Sequence, residues 1–504
     1  MRLYPALPVA AVCVLTVAVG GAAGGRTAGL STAGLSTAGG ADRPAARVTA
    51  PVVLIAPDAV HAAGPSSQPP TTAFCEQSYH IACYSPRQIR QAYQLPALLG
   101  RGITGAGQTI VIVDSFGSPT VRQDLRAFDT AFGFPAPPAL TVIQPAGPVP
   151  AYRPTANRVG WAGETDLDVE YAHAMAPGAK ILLVETPTSE NEGTTGFPQI
   201  VKAEEYVIGH HLGGVISQSF SATELTFPSR ASLLRLRGAY LEAARHGVTV
   251  LAAAGDGGAA DLKFNQVSYY LQPVTSWPDS DPLVTGVGGT QLRLDAAGRR
   301  TAPDQVWNDT YNAAANMFIS GDRGPNPLAG GGGKSVMFAR PGYQDSVQAA
   351  VGGRRGVPDI SMSAACSGSV VVYQSFGGQP PGWYPTCGTS EATPLFAGIV
   401  ALAGQLAGHP LGLINPRLYQ LGLQHAPGIV DITGGSNTVS FRQGGQLRRV
   451  PGFTAGPGYD LASGLGTVDA AQLVPELAGA TAAGPIVAGS RCVHHPELTP
   501  NVVS

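Results

Sequence analysis

Residues 389–403 form a run that no one-sided helical pattern describes. After Thr389, Ser390 and Glu391 come Ala-Thr-Pro-Leu-Phe-Ala-Gly-Ile-Val-Ala-Leu-Ala, apolar on every side of a helical wheel. A helix of that kind must be covered all round, so this segment sets the centre of any fold the chain adopts. A Cys387-Gly388-Thr389-Ser390 turn opens onto it. A serine at that end has the helix dipole and unpaired N–H groups beside its oxygen, a place where an oxyanion can develop. The plainer reading is a serine that only caps the helix. Pro394 is expected in the first turn, where a missing N–H costs nothing.

The chain has 504 residues, 44% of them hydrophobic, enough for one large domain or two to three ordinary ones. A net charge of −2 gives no electrostatic footprint for nucleic acid or an anionic membrane. Residues 1–25 read as a signal peptide, with Arg2, an apolar stretch and then small residues. No later segment reads as a membrane span, so the expectation is a secreted protein, free of the membrane once the signal is removed. Residues 26–74 are low in complexity, with a Leu-Ser-Thr-Ala repeat and a Pro/Ala/Ser-rich stretch, and read as a linker. A folded domain is expected over residues 75–475, its order starting near Cys83, and a tail over 476–504. Export implies oxidised cysteines. Cys75 and Cys83 are close enough to pair, Cys366 and Cys387 flank a predicted hairpin, and Cys492 is left over.

Residues 108–114 (Gln-Thr-Ile-Val-Ile-Val-Asp) are a continuous β-branched run, typical of a strand covered on both faces. Further short strands are expected at 180–185, 214–217 and 247–252, with a helix over 233–245 before the last. This alternation predicts an α/β fold, a parallel sheet with helices on both faces. Reactive groups in such folds gather at the carboxyl ends of the strands.

Residues 163–175 read as a helix stopped by Ala176-Pro177-Gly178. On its wheel Glu164 and Asp168 point inward, while Asp166, Glu170 and His173 share the side expected to face solvent. Two buried carboxyls at i,i+4 are cheapest when they share a proton, which is also what a general acid/base pair needs. The alternative is two acids in a first turn, stabilised by the helix dipole. Asp256 sits among glycines where a strand ends. It reads either as a turn aspartate or as a protonated acid aimed at an oxyanion. A nucleophilic serine needs a base. None of the ten histidines stands in the His-Gly-Thr-His setting of a subtilisin, and Asp114 at a strand end lacks that partner. A carboxylate base remains.

These residues resemble the sedolisin (serine-carboxyl peptidase) family. Gly388-Thr-Ser390-Glu-Ala-Thr-Pro394 is similar to its serine motif, and Glu164-x-x-x-Asp168 with Ala176-Pro-Gly-Ala-Lys180 to its Glu/Asp helix. Ala253-Ala-Gly-Asp256 is similar to its oxyanion aspartate, and segments 277–290, 338–344 and 355–361 to its framework. The likeness runs from about residue 83 to 469 with every motif in order. It implies a subtilisin-like α/β fold and an endopeptidase acting on proteins or peptides at acidic pH, as a monomer. By it Ser390 is the nucleophile, Glu164 its base, Asp168 the residue that orients Glu164, and Asp256 the oxyanion acid. It also implies one structural Ca²⁺ held by Asp431, Ile432, Gly456, Gly458 and Asp460, a hard-oxygen set of two carboxylates and three carbonyls.

The chain departs from the family pattern at Cys387 and Gly257, where serine is usual. The roughly 50 residues between the expected signal and the domain are also fewer than the family's folded pro-domain needs. A second reading is therefore a catalytically silent secreted binding protein on a peptidase scaffold. A third is a histidine-based enzyme using His173.

Overall fold

The computed structural model describes residues 68–190 and 192–479. The expected signal with Cys13, the linker up to residue 67, and the tail beyond 479 with Cys492 lie outside the described residues. Order begins ahead of Cys83. Helix α1 (Thr72–Tyr79) is capped by the Thr71 side chain and fastened to the short strand Cys83–Tyr84 by the Cys75–Cys83 disulfide.

The central sheet has eight strands among the described residues. They are β1 (Thr109–Ser115), β2 (Leu140–Ile143), β3 (Lys180–Thr186), β4 (Val215–Gln218), β5 (Thr249–Ala253), β6 (Thr285–Gln291), β7 (Gln305–Val306) and β8 (Ile360–Ser363). In space they run β7–β6–β5–β4–β1–β3–β2, with β8 also on β6. Every pairing is parallel except β7 on β6. The β-branched run in β1 explains its central place. Ile110 and Ile112 enter one core, Val111 and Val113 the other, so both faces are apolar and both are covered.

Helices α4 (Phe197–Gly209) and α5 (Gly238–His246) cover the face of Val111 and Val113. The opposite face carries α3 (Ala156–Met175) and α6 (Thr389–Ala407), packed against each other. The helix expected over 233–245 is broken in two, a short one at Arg230–Leu234 preceding α5. α6 is buried from Thr389 through Gly404, as its all-round apolarity requires. It meets α3 where Gly398 faces Met175, and a Cβ placed on Gly398 would lie 2.3 Å from the Met175 Cβ. Only glycine lets the two helices approach this closely.

The solvent-facing side expected for α3 does not exist. Every residue from Trp161 to Met175 is buried, including Asp166, Glu170 and His173. Helix α2 (Val121–Phe132) and the hairpin of β9 (Ser369–Gln374) and β10 (Gly382–Thr386) cover that side. They also supply polar partners. The Tyr373 N–H donates to Glu170 Oε2 (3.1 Å), and His173 Nε2 lies 3.1 Å from Asp129 Oδ1 and 2.8 Å from the Pro135 carbonyl. The partners of Glu170 and His173 on this side are protein groups rather than water.

Candidate active site

Four of the sequence-predicted residues meet at the carboxyl ends of β1, β4 and β5. α3 starts at Ala156, so Glu164 is its ninth residue and belongs to the interior of the helix. The reading of two dipole-stabilised acids in a first turn is thereby removed. Glu164 and Asp168 are both fully buried on the side that faces α6 and the sheet.

Ser390 is the second residue of α6, and Gly388 is its N-cap. Ser390 therefore does not cap its own helix. Asp256 does so from outside. Its Oδ1 accepts from the Thr389 N–H (2.7 Å) and the Thr389 hydroxyl (2.9 Å), and that hydroxyl accepts from the Gly255 N–H (3.1 Å). Asp256 is thus bound to the helix rather than to its own loop. Its second oxygen, Oδ2, is the atom that a Cβ on Gly388 would strike, at 2.6 Å. Gly388 has φ +126°, so both backbone shape and space require glycine there. The Cys366–Cys387 disulfide ties the residue before this turn to the segment just before β9.

The Ser390 and Ser219 hydroxyls lie beside the Glu164 carboxyl and favour its charged form, though neither closes a well-aligned hydrogen bond to it. Burial dominates and holds the Glu164 carboxyl well above its ordinary range, with the Asp114 charge next in weight. Asp168 is raised by burial, then by Asp114 and Glu164. Three carboxyls thus stand together without a cation. The low-dielectric surroundings keep protons on this cluster that water would remove. Asp256 is partly exposed along the pocket wall. Burial of its carboxyl pushes it up to about 6, against the two hydrogen bonds from Thr389.

Two members of this site were not assigned from the sequence. Asp114, at the end of β1, was read as a subtilisin acid without its histidine. It is instead fully buried, pushed up to about 7 chiefly by burial, and acts electrostatically on Glu164 and Asp168. Ser219 follows β4 directly. Its hydroxyl donates to Asp168 Oδ1 (2.8 Å) and lies 3.3 Å from the Ser390 carbonyl. That carbonyl is free because Pro394 is the sixth residue of α6, not in its first turn, and has no N–H to return to it. A hydroxyl just beyond a strand's carboxyl end was the available signal. His173 stands nine residues from Glu164, about 14 Å along the helix, and is bound to Asp129 and Pro135. The geometry gives it no part in the site.

Comparison with known proteins gives the family. Residues 157–444, more than half of the chain, match the model of the subtilase family. The chain belongs to the subtilase family. Within it the sedolisins are the relatives. Kumamolisin of Bacillus sp. (strain MN-32) is 33% identical over 80% of this chain and 65% of its own length. Tripeptidyl-peptidase 1 of Canis lupus familiaris is 29% identical over 78% of this chain and 64% of its own. The chain therefore spans just under two thirds of the length of these subtilase relatives. A solved structure of Pseudomonas sedolisin, a serine-carboxyl proteinase complexed with pseudo-iodotyrostatin, superposes with a TM-score of 0.64 at 25% identity. That match covers 79% of this chain and 99% of the other. The subtilisin-like α/β fold expected from the motifs is the fold observed.

The residues expected to hold Ca²⁺ lie far along the chain, where two carboxylates share one turn. Asp431 Oδ2 accepts from the Gly458 N–H (2.9 Å), and Asp460 Oδ2 from the Gly456 N–H (3.2 Å). Among the described residues no lysine or arginine pairs with either acid, and no group of three acidic, histidine or cysteine ligands forms. Any ion here needs backbone carbonyls to complete its shell, and Ile432, Gly456 and Gly458 are placed on the same two segments. This donor set fits a hard cation.

Proposed function

We propose that the chain is a secreted serine-carboxyl endopeptidase working in acid. The observation that carries this reading is the Ser390 hydroxyl beside the fully buried Glu164 carboxyl, with Asp256 fastened to the same helix end. Ser390 Oγ attacks the scissile carbonyl and its proton passes to Glu164. Asp168, held by Ser219, keeps Glu164 oriented and shares the cluster's charge. Asp256, protonated on Oδ2, donates to the developing oxyanion. One such donor contributes about 10²- to 10³-fold in rate. Glu164 returns the proton to the leaving amine, and water then repeats the cycle on the acyl-enzyme. Within the cluster the negative charge must sit on Glu164, with the protons on Asp114 and Asp168, and Asp256 must be protonated. With Asp256 near 6, activity should fall as pH rises past that value.

Purified protein should hydrolyse denatured protein near pH 4, and Ser390→Ala should remove this. Equal cleavage by the alanine variant would sink the proposal. No cleavage by the wild type, together with no labelling of Ser390 by a peptide aldehyde, would return the chain to the binding-protein reading.

The same proposal includes one structural Ca²⁺ at Asp431, Ile432, Gly456, Gly458 and Asp460. An ion present at 100 times its Kd stabilises by about 2.7 kcal/mol. Chelation should then lower the thermal midpoint by about 3 °C. A midpoint that neither EDTA nor added Ca²⁺ moves would end the assignment.

A further inference from the structure

Beside Ser390 opens a pocket lined in part by acids the mechanism does not use. Glu190, Glu192 and Asp261 line it together with Ser390 and Asp256. Glu190 and Glu192 are only 6% and 7% exposed. No lysine, arginine or histidine lines the pocket among the described residues.

The three acids differ in how they are held. Asp261 accepts from the Ser276 hydroxyl (2.5 Å) and the Leu262 N–H (2.7 Å). Glu192 Oε2 accepts from the Thr223 N–H and the Thr226 hydroxyl, both at 2.9 Å. The Glu190 backbone N–H donates to the Ser115 hydroxyl (3.0 Å), which anchors the residue. Its carboxyl receives no hydrogen bond from the described residues. A side chain so enclosed, unpaired and lining a cavity lacks a donor partner, and burying it so is costly. Burial holds all three carboxyls above their ordinary range, and neighbouring acids add to it at Glu190 and Glu192.

The pocket's position says which part of a substrate enters it. Asp256 marks the side of the scissile carbonyl, and Glu164 marks the side of the leaving amine. Asp256 lines this pocket and Glu164 does not. The residue seated there is the one that carries the scissile carbonyl.

We propose that this pocket takes the cationic side chain of a lysine or arginine at that residue, with Glu190 as its principal partner. The inference rests on the peptidase reading for which residue enters. Empty, the acids are held neutral, and Glu190 still lacks the partner its burial calls for. Entry of an ammonium or guanidinium releases one carboxyl proton to solvent and leaves a paired charge inside. An arginine fork also matches a carboxylate in two bonds.

The test uses quenched peptides that differ only before the scissile bond, carrying arginine, lysine, norleucine or glutamate. For the wild-type protein, kcat/KM should favour arginine and lysine over norleucine by at least tenfold. In Glu190→Gln that ratio, taken within the one variant, should fall at least fivefold. A second readout needs no catalysis. Ser390→Ala protein is titrated calorimetrically with Ala-Ala-Ala-Arg and Ala-Ala-Ala-norleucine, and the arginine peptide should bind at least tenfold tighter. Cleavage without a cationic preference overturns the pocket assignment and leaves the peptidase reading standing. Tighter arginine binding with no cleavage by the wild type supports the assignment while the peptidase reading falls. Equal binding of both peptides overturns the assignment, whatever the cleavage result.

Discussion

Glu164→Gln is expected to abolish proteolysis at every pH, lowering kcat/KM by about 10⁴-fold or more. The amide keeps the shape of the carboxyl, so α3, α6 and Ser390 keep their positions. What it loses is the ability to take a proton from Ser390. Among the described residues the structure places no imidazole beside that hydroxyl, His173 being bound elsewhere. Neither neighbouring acid substitutes, since of the three carboxyls only Glu164 has the Ser390 hydroxyl beside it. A merely structural role for Glu164 predicts the opposite pairing of results, with activity falling only as the fold fails. The carboxyl costs stability where it stands, unpaired beside two others. The glutamine variant should therefore melt no lower than the wild type at pH 7, and activity near wild type would end the assignment of Glu164 as base.

The second large effect is on stability against pH. Asp114 has a folded pKa near 7 against an ordinary 3.8, and Glu164, Asp166, Asp168 and Glu170 are raised in the same direction, each mainly by burial. A raised carboxyl binds its proton more tightly folded than unfolded. Its stabilisation is complete below the unfolded value and is lost as pH rises through the folded one. The thermal midpoint should be highest near pH 4 and fall by at least about 5 °C by pH 8. Asp295, the one described carboxyl with a resolved shift the opposite way, lies at the surface and offsets little. A midpoint that holds level or rises between pH 4 and pH 8 would contradict the buried cluster.

What could be read in the chain was what local pattern encodes. The all-round apolarity of residues 392–403 required a central helix, and the β-branched run at 109–113 required a strand covered on both faces. Spacing brought Glu164 and Asp168 to one side of their helix, and the motif order supplied the fold. What failed depended on segments distant in sequence. The other side of α3 was assigned to water because nothing near residues 166–173 shows that α2 and a hairpin two hundred residues away cover it. Pro394 was placed in a first turn because the helix start was counted from the wrong residue. Asp114 was set aside for want of a histidine, although its position at a strand's carboxyl end already pointed at the site. Glu190 carries no motif, and only the folded pocket brings it near Ser390.

The close approach of Gly398 to Met175 makes the two long helices a pair of shears with a fixed pivot. Ser390 lies eight residues, about 12 Å, from that pivot, and Glu164 eleven residues, about 16 Å. A rotation of about 5° at the crossing swings either blade tip by about 1 Å, a displacement that can cost on the order of a hundredfold in rate. The spacing between acid and hydroxyl thus depends in part on a residue with no side chain, about 12 Å along the helix from the nucleophile.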